Sequence, residues 1–379
     1  MLINPFSPGK TVEPEYFAGR KKEIDKFEMF LKSASQGNPM NLAILGERGI
    51  GKSSLLRMCE FLCKKQRSIS VRIDLDVSVD TITSLIHVIL SGIKREGEVN
   101  SKLLKLSEGI KKFFQNYQVS IDVLGTKIEA RQRKEITSTE FREELSKIWN
   151  HIKGTVPAIV IMLDEAEQLE NIKGSLQYLR NTFTRLAEEK CGYMLVLSGK
   201  LLLFQKLKEI HSPLARFFNP VSLGALSEEE SREALDKPLK HSEYDITDEV
   251  KEAIIIASQG HPYMIQLFGY YLCEKAVQPL IAQEMYEATL PVILDALAKQ
   301  LFSDCYNLAS PVERHVLKTM AKAKDDKLNS GWLAQKIKKK PSQVSYLLRN
   351  LCEKECVKKI DRGQYILFHR LFKDYLNNL

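Results

Sequence analysis

The run LAILGERGIGKSSLLR, Leu42 to Arg57, limits what this chain can fold into more than any other stretch. Four apolar residues, Leu42 to Leu45, read as a buried strand. Gly46, Gly49 and Gly51 break it, and Lys52, Ser53 and Ser54 open a helix that continues through Leu55 and Leu56. Strand, G-x-x-x-x-G-K-[ST] and helix in this order make a phosphate-binding P-loop. The chemistry calls for these residue types. Glycines, lacking a Cβ, let the backbone N–H groups of the loop, with Glu47, Arg48 and Ile50 between them, turn inward around phosphate oxygens. The new helix points its positive end at the same anion. Lys52 can reach the β/γ-phosphates and the Ser53 hydroxyl can take a place on Mg²⁺. A glycine turn before an ordinary helix is the plain alternative, and the complete pattern in its strand–helix setting argues against it. The expectation is a chain that binds ATP with Mg²⁺.

A second half of such a site follows downstream. Ala158 to Leu163, AIVIML, is an unbroken apolar run of strand length, as in a strand covered on both faces. It ends in Asp164-Glu165, and a carboxylate at the tip of a buried strand faces the crevice where α/β sheets bind ligands. Asp164 can hold Mg²⁺ through water, and Glu165 is placed to orient or deprotonate the attacking water. An acidic pair alone also marks many helix starts. Ser198 closes the next apolar strand, Tyr193 to Gly199, so it should lie beside Glu165 and either position water or simply end the strand. Arg216, just before a last strand, is either a charge-stabilising finger or a surface arginine.

Wholly apolar strands alternating with amphipathic helices predict a parallel sheet in an α/β core. Strands are expected at Ile69 to Leu75 and near Pro220 to Leu223, and helices from Arg20, at Thr81 to Lys94, Ser138 to Lys153 and Ile172 to Glu189. Between Asp76 and Pro157 the chain is longer than one crossover needs; a helix (Ser101 to Tyr117) and a hairpin about Gly125 fit the middle. After Leu223 the pattern is helical. Ser227 with Glu230 forms a capping box, Gly260-His261-Pro262 stops one helix and starts another, and a fourth helix begins near Pro291. The last stretch reads as helices Pro311 to Ala323, Ser330 to Ile337 and Pro341 to Lys354, then a hairpin about Arg362-Gly363 and a closing helix, which is a winged helix. The fold expected is an α/β P-loop core with a parallel sheet (1–224), an all-α lid (225–300) and a winged-helix domain (301–379).

Composition matters mainly through charge. Of 379 residues with net charge +8, the stretch from Ser310 onward holds 16 Lys and Arg against seven Asp and Glu. The tail is therefore +9 and everything before it −1, which points to an acidic partner for the tail. The third helix of a winged helix enters the major groove, and its exposed side here would carry Ser342, Gln343, Tyr346 and Arg349. Lys339 and Lys340 precede it, and Lys358, Lys359 and Arg362 sit at the wing, which suits phosphate contacts. A basic face used for protein packing is the alternative. Seven scattered cysteines argue against a disulfide framework and for a reducing, cytoplasmic setting; Cys59/Cys63 and Cys352/Cys356 read as small buried hydrophobes. No apolar run approaches a membrane span.

These pieces together, NPFSPG…FAGRKKEI, GERGIGKSS, IMLDEAEQL, LVLSGK, SPLARFF, Gly260-His261-Pro262 and the terminal winged helix, resemble AAA+ ATPases. The likeness is to the archaeal and bacterial group similar to origin-recognition initiators and STAND signalling ATPases. It implies that Phe17, Gly19 and Arg20 flank the adenine and that His261 and Pro262 bring the lid to the nucleotide. Ser198 stands where Asn is frequent in such proteins, and His261 near a place often held by Arg. Members of this group act more as nucleotide-dependent switches than as fast motors, often through self-association. The expected function is a slowly hydrolysing, Mg²⁺-dependent ATPase switch that engages DNA through its tail. The competing reading is a STAND-type signalling or defence ATPase whose tail binds protein; a metabolic P-loop kinase is a third, for which no acceptor site is visible.

Overall fold

The computed structural model describes residues 3–99, 136–201 and 216–379. The chain forms two compact units: Thr11–Gly46 with Gly51–Gly224, and Ala225–Leu379 with Met1–Lys10 and Glu47–Ile50.

The first unit is built on five strands. Its elements run α1 (Lys21–Ser35), β1 (Asn41–Leu45), α2 (Lys52–Lys65), β2 (Ile69–Asp74), α3 (Ile82–Val99), α4 (Ser138–Ile152), β3 (Ile159–Asp164), α5 (Ser175–Glu188), β4 (Tyr193–Gly199) and β5 (Phe218–Ser222). The strands lie in the order β2-β3-β4-β1-β5, all parallel. Every residue of β1, β3 and β4 is buried, which is why these segments read as unbroken apolar runs. The core gathers Leu163, Leu195 and Leu197 from the sheet with Leu85, Ile89, Phe141, Leu145, Phe183 and Leu186 from the helices. Thr137 caps α4 in a capping box with Glu140.

The helix expected from Ile172 to Glu189 is α5, which starts three residues later because Gly174 at φ +77° is its N-cap; a 3-10 turn, Ala166–Asn171, precedes it. The helix expected at 101–117 and the hairpin about Gly125 lie outside the described residues.

The second unit runs α6 (Glu228–Leu239), β6 (Asp245–Ile246), α7 (Asp248–Ser258), α8 (Pro262–Lys275), β7 (Leu280–Ile281) and α9 (Gln283–Leu297). A π-turn and α10 (Ser303–Leu308) follow, then α11 (Pro311–Ala321), β8 (Leu328–Asn329), α12 (Ser330–Lys336), α13 (Pro341–Glu353), β9 (Val357–Asp361), β10 (Gln364–Leu367) and α14 (Arg370–Asn377). Capping boxes open α6 (Ser227, Glu230) and α11 (Ser310, Glu313). The fourth helix starts at Gln283, not near Pro291, which sits inside it. The stripe of Tyr286, Ile293 and Leu297 continues across the proline, and Tyr286 stacks on Phe268 of α8 at 6.3 Å; that packing outweighs one lost backbone bond. The short parallel pair β6–β7 interrupts the region expected to be helical throughout.

Three helices and the antiparallel β9–β10 pair, joined by β8, make the winged helix. Its core holds Val316, Leu317, Leu333, Val344, Leu348, Leu351 and Phe372. Cys305 and Cys356 are bonded as a disulfide, whereas Cys356 was expected as a small buried hydrophobe. The N-terminal segment is irregular but anchored: Phe6 is buried and Asn4 Nδ2 donates to Tyr270 O at 2.8 Å.

Candidate functional site

The parallel sheet sends its strand ends to one edge, and the P-loop leaves β1 there. The Gly46 N–H donates to Gly199 O at 3.1 Å, so the tip of β4 fixes where the loop departs. Gly51 holds φ +95° as the residue before α2, a conformation that L side chains seldom adopt. The first amides of α2, on Lys52, Ser53 and Ser54, have no acceptor within the helix, as at any helix start, and form the positive end of its dipole. Lys52 Nζ donates to Gly46 O at 2.9 Å. Ser54 Oγ accepts from Val12 N at 3.2 Å, so this hydroxyl braces the N-terminal segment.

Asp164, at the end of β3, is buried. Its Oδ2 accepts from Ser53 Oγ at 2.8 Å, so the two groups expected on Mg²⁺ already touch. Hydroxyl and carboxylate oxygens side by side are the hard donors a divalent cation takes. Asp164 Oδ1 accepts the N–H of Glu165 at 3.1 Å. Glu165 is exposed and holds φ +52°, unusual for a residue with a side chain, so the backbone turns sharply as it leaves β3. Ser198 lies level with Asp164 rather than Glu165, because Leu163 pairs with Leu197 in the sheet. Its Oγ is buried and has no hydrogen-bond partner among the described residues. A buried hydroxyl left so costs about 1–3 kcal/mol, which fits a group kept for a water or a ligand.

One residue escaped the sequence reading. Arg72, in the middle of β2, donates from Nη2 to Asp164 Oδ2 at 3.0 Å, from Nη1 to Ser53 O at 3.3 Å and from Nε to Asp74 Oδ1 at 3.2 Å. The available signal was a lone cation between the β-branched residues of SISVRIDLD.

The other expected residues divide. Phe17 and Arg20 are buried; Arg20 takes φ +62° before α1 and donates to Gly224 O at 2.5 Å, which ties down the end of its own unit. Gly19 also has positive φ. Arg216 is exposed just ahead of β5. Glu47–Ile50, the tip of the loop, clusters with the second unit. There Glu47 pairs with Lys358 at 2.8 Å, Arg48 Nη1 with Asp304 at 3.2 Å, and the Arg48 N–H donates to Glu355 Oε2 at 3.2 Å. His261 caps α8 ahead of Pro262, and its Cε1 would stand 2.9 Å from a Cβ added to Gly49. Burial, reinforced by His369 and Lys358, pulls the His261 imidazole down to about 3, so it is neutral at pH 7. His369 is pulled down to about 4, again mainly by burial.

On α13, Ser342, Gln343, Tyr346 and Arg349 are exposed while Val344, Leu348 and Leu351 are buried and Leu347 is half-buried. Lys339, Ser342, Gln343 and Tyr346 line a cavity of about 460 Å³ with Ser310 and Val312. Lys340, Lys359 and Arg362 are exposed, whereas Lys358 is half-buried in its ion pair with Glu47.

A P-loop on β1, an acid at the tip of β3 and the strand order 2-3-4-1-5 define a P-loop NTPase. The chain belongs to the family described as Novel STAND NTPase 1, whose family model matches residues 5–359. It is 24% identical to an uncharacterized HTH-type transcriptional regulator of Methanocaldococcus jannaschii, over 99% of this chain and 91% of that protein. Among solved structures it is similar to the Walker-type ATPase PABY2304 of Pyrococcus abyssi, with TM-score 0.68 and 20% identity over 98% of this chain and 99% of that one. It is also similar to the ORC2 protein of Aeropyrum pernix in ADPNP–ADP complexes, with TM-score 0.59 and 15% identity over 99% and 98%. At these identities the solved structures show a shared fold. No helix among the described residues is long and apolar enough to cross a membrane.

Proposed function

We propose that the chain is an ATP-binding switch that hydrolyses its nucleotide slowly and engages DNA through the winged helix. The observation that carries the nucleotide half is the contact between Ser53 Oγ and Asp164 Oδ2 at 2.8 Å, beside the start of α2. In this reading the loop amides and Lys52 hold the phosphates, Lys52 leaving Gly46 O to do so. Ser53 and Asp164 hold Mg²⁺, which when bound neutralises charge on the phosphate oxygens. Glu165 orients a water toward the γ-phosphate and accepts its proton, Ser198 offers that water a further hydrogen bond, and Arg216 offsets charge as the terminal phosphate leaves. Phe17, Gly19 and Arg20 bound the adenine side, and His261 and Pro262 report nucleotide to a lid spanning 225–300, between a core (1–224) and the winged helix (301–379).

The DNA half is supported by the +9 tail, the exposed Gln343, Tyr346 and Arg349 on α13, and the HTH-type regulator among its relatives. The protein-binding reading gains from Lys358, which already answers an acid of its own chain. Calorimetry with ATP tests the first half: uptake by the full chain, lost in Lys52→Ala, is expected, and no uptake by the unaltered chain refutes it. Fluorescence anisotropy with a labelled duplex across a salt series tests the second. Affinity that falls steeply with salt is expected, and its absence leaves the protein-binding reading.

A further inference from the structure

An arginine in the middle of a strand is costly to bury and needs a reason. Val71 and Ile73 on either side of Arg72 are core residues, and only 17% of the Arg72 side chain is exposed. Its guanidinium is engaged on every side: Asp164 Oδ2 at 3.0 Å, Ser53 O at 3.3 Å, Asp74 Oδ1 at 3.2 Å, and Glu60 Oε2 at 3.9 Å. Asp164 Oδ2 is the same oxygen that accepts from Ser53 Oγ. A fixed positive charge therefore stands on the carboxylate oxygen that would hold the metal and on the backbone of the serine bonded to it.

We propose that Arg72 is a resident counter-charge at the metal end of the nucleotide site, a specificity-determining residue that sets how strongly nucleotide binding depends on magnesium. This rests on the nucleotide reading given above and goes beyond it. Arg72 offsets the charge of Asp164 whether or not metal is present, so that carboxylate attracts an incoming divalent cation less than an unpaired one would. The same guanidinium, with Lys52, favours a triphosphate that arrives without metal. Wild-type protein then holds metal-free ATP nearly as well as Mg·ATP. Removing the charge uncovers Asp164: metal-free ATP loses a cation, and the divalent ion gains an unshielded carboxylate and loses a like-charge neighbour. A purely structural ion pair would lower both affinities together and leave their ratio alone.

The measurement is the dissociation constant of the full chain for N-methylanthraniloyl-ATP by fluorescence titration, in excess EDTA and in excess Mg²⁺. For wild type the EDTA value should exceed the Mg²⁺ value by less than about tenfold, and Arg72→Gln should raise that ratio by about tenfold or more, one pK-sized step of interaction. Arg72→Lys, which keeps the charge, should stay near wild type. A Gln ratio unchanged or lowered overturns the proposal. The wild-type arm needs no variant to fold: a loss of more than about a hundredfold on adding EDTA overturns it equally. Absence of binding in both solutions would sink the nucleotide reading itself, a result distinct from binding with an unaltered ratio.

Discussion

Replacing Gly260 by alanine isolates what the glycine of Gly260-His261-Pro262 does. Its φ is +71°, where an alanine is disfavoured by about 1–2 kcal/mol. The added Cβ would also fall 2.2 Å from Leu226 O and 3.1 Å from Leu226 N, both backbone atoms that cannot swing aside. Leu226 N donates to Gly260 O at 2.8 Å, so relieving the overlap breaks a hydrogen bond worth about 1 kcal/mol. With the backbone displacement an overpacked site requires, the cost is about 3–5 kcal/mol. Gly174→Ala is the control: φ +77° with nothing within 4 Å of the new Cβ, so only the conformational part applies. The sequence has two tryptophans, Trp149 in the first unit and Trp332 in the second. Urea unfolding followed by Trp332 in a Trp149→Phe background reports the second unit. At a slope of about 2 kcal/mol/M the midpoint should fall by about 2 M in Gly260→Ala. A fall no greater than that of Gly174→Ala, read from Trp149 in a Trp332→Phe background, would refute the steric argument. Loss of ATP binding at unchanged stability would make the glycine a ligand contact instead.

Glu165→Gly should relieve the positive φ and raise the stability of the first unit by up to about 1 kcal/mol while turnover falls sharply; unchanged turnover by phosphate release removes Glu165 from the reaction. His261 and His369 fold with values of about 3 and about 4 against an ordinary 6.5. Above 6.5 both are neutral in either state. Below it the unfolded chain takes up protons the folded one refuses, so stability falls with pH and the loss levels off only near 4 and 3. At pH 5 each costs about 2 kcal/mol, and a His261→Asn/His369→Asn double variant should lose stability less steeply between pH 7.5 and 5; an equal slope in urea midpoints contradicts this. Lys359→Ala with Arg362→Ala should weaken duplex binding evenly across sequences and reduce the salt slope by about 2, whereas Arg349→Ala should change sequence preference; a salt slope unmoved by the first pair refutes the wing contacts.

Much of the fold was legible because its signals are local. Apolar runs without polar interruption marked β1, β3 and β4, and Ser227 with Glu230 announced α6, since a cap is a short-range hydrogen bond. Gly46 to Ser53 and Asp164 were readable for the same reason: each has its chemistry written next to a strand. What escaped depends on distant partners. Arg72 looks like a surface residue until β2 is laid against β3 and brings it to an acid 92 positions away. Cys305 and Cys356 are 51 apart, and no spacing rule joins them. Pro291 misled because proline locally marks the first turn of a helix, and the stack of Tyr286 on Phe268 carries the helix back ahead of it. Gly174 was passed over because one glycine in a helical pattern is usually tolerated.

The strand order has one more outcome. β2 is the outermost strand of the described sheet, next to β3, while β1, which leads into Lys52, and β4, which carries Ser198, lie further in. Doubling the length of a tether closed at both ends costs only about 0.6 kcal/mol. The sheet can therefore keep its register while the stretch of sequence between α3 and α4, which joins its outermost strand to the next, is lengthened, trimmed or exchanged for a foreign module, which makes that junction the natural port for grafting new recognition onto this P-loop scaffold.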